Sequence, residues 1–230
     1  MKKLATRIYN KLLDEKRNKL KTLNIYFAGH QQYTKFVIVG YSRTGSNFLY
    51  AGLASCKEVK MYHEVFADHN RKNGESFDHV FNMVFNKQPS QVSAVGCKIF
   101  YFHLTEEEWK RFIKKEEVKI IHLVRNNKLR TIASLDIAFK TDQWSSNEDT
   151  LITNKRIRLD NTTIKKRLES IVQYEQLTRN RFVDRAFLEV SYEELINYPS
   201  KVFNKISKII KFKSIYLVYL RTSKRHPFRF

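Results

Sequence analysis

The sequence predicts an α/β protein with a mostly parallel central sheet, and three observations carry that expectation. Short apolar runs of strand length take turns with helical stretches along the chain, the order that parallel strands and crossover helices require. A glycine-bounded loop, Gly40 to Asn47, joins the first such run to the start of a helix. No apolar run approaches the roughly 18 residues of a membrane-spanning helix.

Each element follows from its local pattern. Leu4, Ile8, Leu12 and Leu13 sit at helical spacing among lysines, so residues 2–22 read as a basic amphipathic helix, docked on the domain or resting on a membrane. Residues 1–34 are therefore set apart from a single domain over 35–230. Residues 35–40 are apolar up to a closing glycine and predict a buried strand, with a helix over 47–53 after the loop. A short strand is expected at 59–62, a helix at 75–86 and a strand at 94–102. Thr105 followed by Glu108 spells a capping box, which opens the helix containing Trp109. Residues 118–124 give the clearest buried strand, followed by a helix over 127–139 and a polar, loop-like stretch over 140–160. A long helix over 162–184 leads to a strand at 187–192, and one last helix over 193–210 runs through Pro199.

The 43 basic and 23 acidic residues leave a net charge of +20, whose location matters more than its size. The first 35 residues carry a net +7 and the last 30 a net +9, while the stretch between them is close to balance. A nucleic-acid module concentrates basic residues on its folded body among exposed aromatics, so no nucleic-acid partner is expected. Basic ends suit an anionic substrate or peripheral contact with an anionic membrane, or they simply keep the chain soluble. Two cysteines, Cys56 and Cys97, are too few for a disulfide framework or a zinc quartet and fit a reducing, cytoplasmic compartment.

The sharpest motif is Gly40-Tyr-Ser-Arg-Thr-Gly-Ser-Asn47 between strand and helix. Such a loop turns successive N–H groups inward, and the helix start adds partial positive charge, so together they cradle a phosphate. The Walker pattern demands Lys then Ser or Thr after the second glycine, and Ser46 and Asn47 stand there instead. Arg43 is the cation left inside the loop, with a planar fork suited to oxyanions.

Arg43-Thr44-Gly45-Ser46 resembles the 5′-phosphosulfate loop of sulfotransferases that use 3′-phosphoadenosine-5′-phosphosulfate (PAPS). A second signature of that family is a strand ending in arginine, then a helix presenting a serine, which together hold the 3′-phosphate. Here Ile120 to Arg125 ends the strand and Ser134 lies on the helix, one residue further along than in many members. Asn126 stands where some bacterial members carry a second arginine. Met61-Tyr-His-Glu-Val-Phe66 is similar to the His-Gly-Glu-like element of bacterial carbohydrate sulfotransferases, especially the nodulation-factor type, whose glutamate is the base. Val95-Gly-Cys-Lys98 resembles a Gly-x-Lys strand of the same group, and Tyr192-Glu-Glu-Leu195 the element whose tyrosine packs near the adenine.

The resemblance implies a P-loop-like three-layer sandwich that moves a sulfuryl group from PAPS to an acceptor hydroxyl, on a carbohydrate or glycolipid. Arg43, Thr44, Gly45, Ser46 and Asn47 would hold the 5′-phosphosulfate, Arg125 and Ser134 the 3′-phosphate, and Tyr192 the adenine. Glu64 would deprotonate the acceptor, with Arg43 and Lys98 steadying the sulfuryl group. His63 and His103 are alternative bases. No metal is required, because arginine and backbone N–H groups supply charge stabilisation, and a zinc site from His63, Glu64 and His69 has the wrong helical spacing. Arg221, Lys224 and Arg225 could close over the 3′-phosphate, and residues 66–85 and 140–160 would shape the acceptor pocket. Two other readings stay open: a nucleotide or sugar kinase with a degenerate loop, and a non-catalytic basic protein that binds nucleic acid or anionic glycans.

Overall fold

In a computed structural model, residue 25 and residues 28–144 and 157–212 are described. The expected helix over 2–22, most of the 140–160 loop and the basic residues Arg221, Lys224 and Arg225 lie outside them.

Five parallel strands form one sheet in the order β2-β3-β1-β4-β5. They are β1 (Thr34–Gly40), β2 (Val59–Tyr62), β3 (Ala94–Phe100), β4 (Lys119–Val124) and β5 (Phe187–Ser191). From β1 the chain passes outward to β2, back to β3 and then across β1 to β4, so the direction of winding reverses at β1. Ligands collect at the carboxyl edge of such a switch point, which is where the Gly40–Asn47 loop emerges.

Helices cover both faces. α2 (Phe77–Val84), α3 (Glu106–Ile113) and the end of α5 (Asn161–Arg181) pack Phe77, Phe81, Trp109 and Phe112 against Val37, Val39, Cys97 and Ile120. α1 (Ser46–Ala54), α6 (Tyr192–Asn197) and α7 (Pro199–Ile210) pack Leu49, Leu53, Leu195, Val202 and Ile206 against Phe36, Ile38, Ile121 and Leu123. Because alternate side chains of a strand feed opposite layers, β1, β3 and β4 must be apolar on both sides. That is why they read as continuous runs, and why the residues from Phe36 to Val39 are all at most 1% exposed. α4 (Lys128–Thr141) packs beside α5. The result is the three-layer α/β sandwich that the sequence predicts.

Several boundaries match their local signals. The capping box forms in full, with Thr105 Oγ1 accepting from Glu108 N at 3.2 Å and Glu108 Oε2 from Thr105 N at 3.0 Å. β3 stops at Phe100, two residues short of expectation, and turns there with the His103 ring accepting the Phe100 N–H. The expected single helix over 193–210 is two helices. Proline lacks an N–H and pushes the residue before it out of the helical region, so Tyr198 adopts φ −135° and Pro199 opens α7 at its first turn. Among the described residues no helix is long and apolar enough to cross a membrane.

Candidate active site

The loop after β1 is shaped by two left-handed residues, Arg43 at φ 65° and Gly45 at φ 86°. A positive φ costs a non-glycine residue roughly 1–2 kcal/mol, so Arg43 stays there only because its surroundings fix the loop. Thr44, 2% exposed, donates from Oγ1 to the Tyr41 carbonyl at 2.7 Å and closes the turn. At Gly45 a Cβ would lie 2.6 Å from Tyr192 Cδ2, so glycine supplies both the backbone conformation and the room for that ring. α1 then begins with no side-chain cap and no acidic residue in its first turn. α2 to α6 instead start on Ser76, Thr105, Asn127, Asp160 and Ser191, whose side chains accept helix N–H groups. The uncapped start of α1, at Ser46 and Asn47, leaves orphan donors and the positive dipole end facing the crevice, which suits an oxyanion.

Arg43 reaches across to α4, donating from Nε to Ser134 Oγ at 2.9 Å and from a terminal nitrogen to the Trp144 carbonyl at 2.7 Å. Arg125, at the end of β4, donates to the Arg43 carbonyl at 3.1 Å and lies 4.2 Å above the Tyr192 ring. Residues 43, 125, 134 and 192 therefore form one cluster, with Tyr192 wedged between the loop and Arg125. Burial lowers the pKa of both guanidinium groups, and the charge of Arg125 lowers that of Arg43 further. Two like charges pressed together in a half-buried site favour an anion between them. Arg125 Nε is moreover buried without a hydrogen-bond partner among the described residues, a donor left for a ligand. A phosphate fits this donor set.

At the start of α4, beside Arg125, Glu193 accepts from Asn126 N at 3.0 Å and Asn127 N at 3.2 Å, so these two amides are already taken by a side chain.

On the other side of the loop lies a second cluster. Lys98 is only 1% exposed although strand lysines usually sit at edges, because β3 is an interior strand between β2 and β1. Its Nζ is 2.9 Å from Glu64 Oε1 and donates to Asn47 Oδ1 at 2.6 Å, with the Tyr50 and Phe100 rings 5.6 and 5.8 Å away. Lys98 thus ties Glu64, just past β2, to the loop after β1. A buried ammonium needs such partners, since removing it from water costs several kcal/mol. Of the alternative bases, His103 is disfavoured by its own hydrogen bond. Burial lowers its pKa to about 4, so the ring is neutral, and Nδ1 accepts the Phe100 N–H at 3.1 Å, which places the proton on Nε2. His63 stacks on Tyr50 at 3.8 Å, and burial followed by the charge of Lys98 lowers its pKa as well.

Sequence reading missed Glu193, the Trp144 carbonyl and Tyr50. It also missed a buried chain in which His122, fully buried, bonds Tyr101 through Nε2 at 2.6 Å and Glu189 through Nδ1 at 2.9 Å. Glu189 also accepts from Arg179, and these bonds hold its pKa down at about 2. The His122 to Glu189 register was available in the strand pattern, but nothing in the sequence said that β4 and β5 are neighbours. Among the described residues no group of three His, Cys, Asp or Glu side chains is placed to hold a metal ion.

The family model described as "Sulfotransferase domain" matches residues 33–223. The chain belongs to the sulfotransferase family. The match spans both clusters and establishes this sulfotransferase as an enzyme of sulfuryl transfer, in place of the kinase and the non-catalytic binding protein. Among solved structures, a sulfotransferase from Alicyclobacillus acidocaldarius superposes with a TM-score of 0.51 at 15% identity, covering 78% of this chain and 81% of that one. At that identity the likeness speaks for the fold. The mouse sulfotransferase SULT7A1, complexed with PAP, gives a TM-score of 0.47 at 15% identity over 80% of this chain and 60% of its own. No curated protein matches by sequence.

Proposed function

We propose that this sulfotransferase takes its sulfuryl group from PAPS, the donor its family uses, and passes it to a hydroxyl of a carbohydrate or glycolipid. The observation that carries the reading is the buried Lys98, which holds Glu64 and Asn47 together beside an uncapped helix start. In this arrangement residues 43–47 hold the 5′-phosphosulfate and Arg125 with Ser134 the 3′-phosphate. The Tyr192 ring, already packed against Gly45 and Arg125, supports the nucleoside end.

In the reaction the acceptor O–H gives its proton to the Glu64 carboxylate while its oxygen forms a bond to sulfur. The bond from sulfur to the bridging oxygen breaks, and its electron pair leaves on the 5′-phosphate of 3′,5′-adenosine bisphosphate (PAP). Charge grows on that oxygen, where the Ser46 and Asn47 end of α1 and the Lys98 ammonium stabilise it without reorganising. The carbohydrate acceptor rests on the Met61–Phe66 resemblance, including the nodulation-factor type. Peripheral contact with an anionic membrane through the basic ends, and a cytoplasmic setting, belong to the same reading.

Thermal unfolding with PAP, 5′-AMP, ATP plus magnesium and a short DNA tests the donor. A hundredfold excess of PAP over its Kd should add about 2.7 kcal/mol of stability. AMP should add much less. Equal shifts with PAP and AMP would remove the 3′-phosphate site, and a shift with ATP or DNA alone would replace the donor. Arg43→Ala should weaken PAP binding and slow transfer together, since its side chain joins the donor loop to Ser134. Wild-type affinity and rate in that variant would take Arg43 out of the site.

A further inference from the structure

We infer that Glu193 is a positioning residue for the donor's 3′-phosphate, a carboxylate that fixes Arg125 by closing the start of α4. The inference rests on the reading of Arg125 as the 3′-phosphate ligand and goes beyond it, because Glu193 touches no donor atom in this account.

A carboxylate beside an anion site is electrostatically unfavourable, so its presence needs a reason. Glu193 follows Tyr192 at the junction of β5 and α6, and its two oxygens accept the N–H groups of Asn126 and Asn127 at 3.0 and 3.2 Å. Those are the two residues immediately after Arg125, on the bend from β4 into α4. The Asn127 side chain accepts from Arg130 N at 3.0 Å, so this helix start carries a side-chain cap, unlike the start of α1. From the other side Lys128 donates to the Arg125 carbonyl at 3.2 Å and pairs with the buried Glu175 at 3.1 Å.

Arg125 is thereby held by its ring neighbour, its acceptor and its own backbone. Its ring neighbour is Tyr192, one terminal nitrogen is committed to the Arg43 carbonyl, and its following backbone is held by Glu193. What remains is the partnerless Nε and the second terminal nitrogen. A guanidinium with few rotamers left loses little entropy when it binds a phosphate, which is how preorganisation raises affinity. With the Asn126 and Asn127 amides taken by Glu193, the 3′-phosphate relies on Arg125 and Ser134, so discrimination between donors with and without that phosphate depends on where Arg125 points. Burial works against the Glu193 carboxylate, but the Asn126 and Asn127 N–H groups, and after them the charge of Arg125, hold its pKa below the usual range.

The test uses the full chain with Glu193→Gln, Glu193→Asp and Glu194→Gln, the last a neighbouring carboxylate paired with Lys205 instead. Titration calorimetry with PAP and with 5′-AMP gives the ratio of affinities, and steady-state rates with PAPS separate KM from kcat. Glu193→Gln should weaken PAP about tenfold, the equivalent of 1.4 kcal/mol, and leave AMP within twofold. KM for PAPS should rise in step while kcat changes little, Glu193→Asp should restore part of the loss, and Glu194→Gln should match wild type. A general structural role would weaken PAP and AMP alike and would overturn the inference. So would tighter PAP binding in Glu193→Gln, which would make repulsion the dominant effect. If Glu193→Gln does not fold, Glu193→Asp alone decides, by whether its ratio of PAP to AMP affinity falls below that of wild type. If wild type itself fails to prefer PAP over AMP, the donor reading falls and this inference falls with it. If wild type prefers PAP and the variants do too, undiminished, only Glu193 is removed.

Discussion

Glu64→Gln is expected to bind PAP like wild type and to lose turnover by a factor of about 10² to 10⁴, the usual contribution of a positioned general base. The substitution suits the question because the glutamine oxygen can still accept from Lys98 Nζ, 2.9 Å from Glu64 Oε1, so the buried ammonium keeps a partner. What disappears is the capacity to take a proton. Single-turnover rates at saturating PAPS and acceptor are the measurement, since product release then cannot mask the chemical step. Turnover within a few-fold of wild type would move the base to His63, whose ring is lowered in pKa and stacked on Tyr50 nearby. His103 is not an equal alternative, because the nitrogen not bonded to Phe100 already carries the ring's proton.

The second large effect is expected at Lys98. Lys98→Met keeps the length and fills the space between the Tyr50 and Phe100 rings, but it leaves the Glu64 carboxylate and Asn47 Oδ1 without their shared donor. If the ammonium stabilises charge as sulfur is transferred, kcat should fall by about 10² to 10³, the scale of losing one preorganised donor. PAP has no sulfuryl group, so its affinity should change far less than the rate. Equal losses in PAP affinity and in kcat would mean that Lys98 acts only by fixing Asn47 in the donor loop. The variant's thermal stability is informative as well, since removing one member of a buried ion pair leaves the other uncompensated.

The carboxylate and the lysine also show why the two halves of the site differed in legibility. The loop proposed to hold the donor is contiguous from Gly40 to Asn47, and its glycines and its place between strand and helix are local facts, so residue type and order announce it. Arg125 and Ser134 are legible for a similar reason, being one strand end and the helix that follows it. Lys98 could not be judged that way. A lysine in a strand reads as an edge residue until the strand order shows β3 inside the sheet. The expected helix over 193–210 failed for a local reason that apolar periodicity overrode: Pro199 fixes the break, and the helical repeat simply resumes after it.

The sequence by itself determined the α/β class, the number of strands and their succession along the chain, and the glycine-bounded loop between the first strand and its helix. Each of these follows from local periodicity and turn chemistry, in which neighbours in sequence are neighbours in space. Only the tertiary structure decided which distant groups meet. It brought Arg43 to Ser134 and Tyr192 under both Gly45 and Arg125, and set Lys98 between Glu64 and Asn47. It also set Glu193 across the amides that an anion would otherwise use. Those meetings depend on the all-parallel pairing, which gathers five strand ends at one edge, and on the strand order, which sets β3 and β4 on either side of β1. Strand order is a property of long-range packing, and no local pattern encodes it.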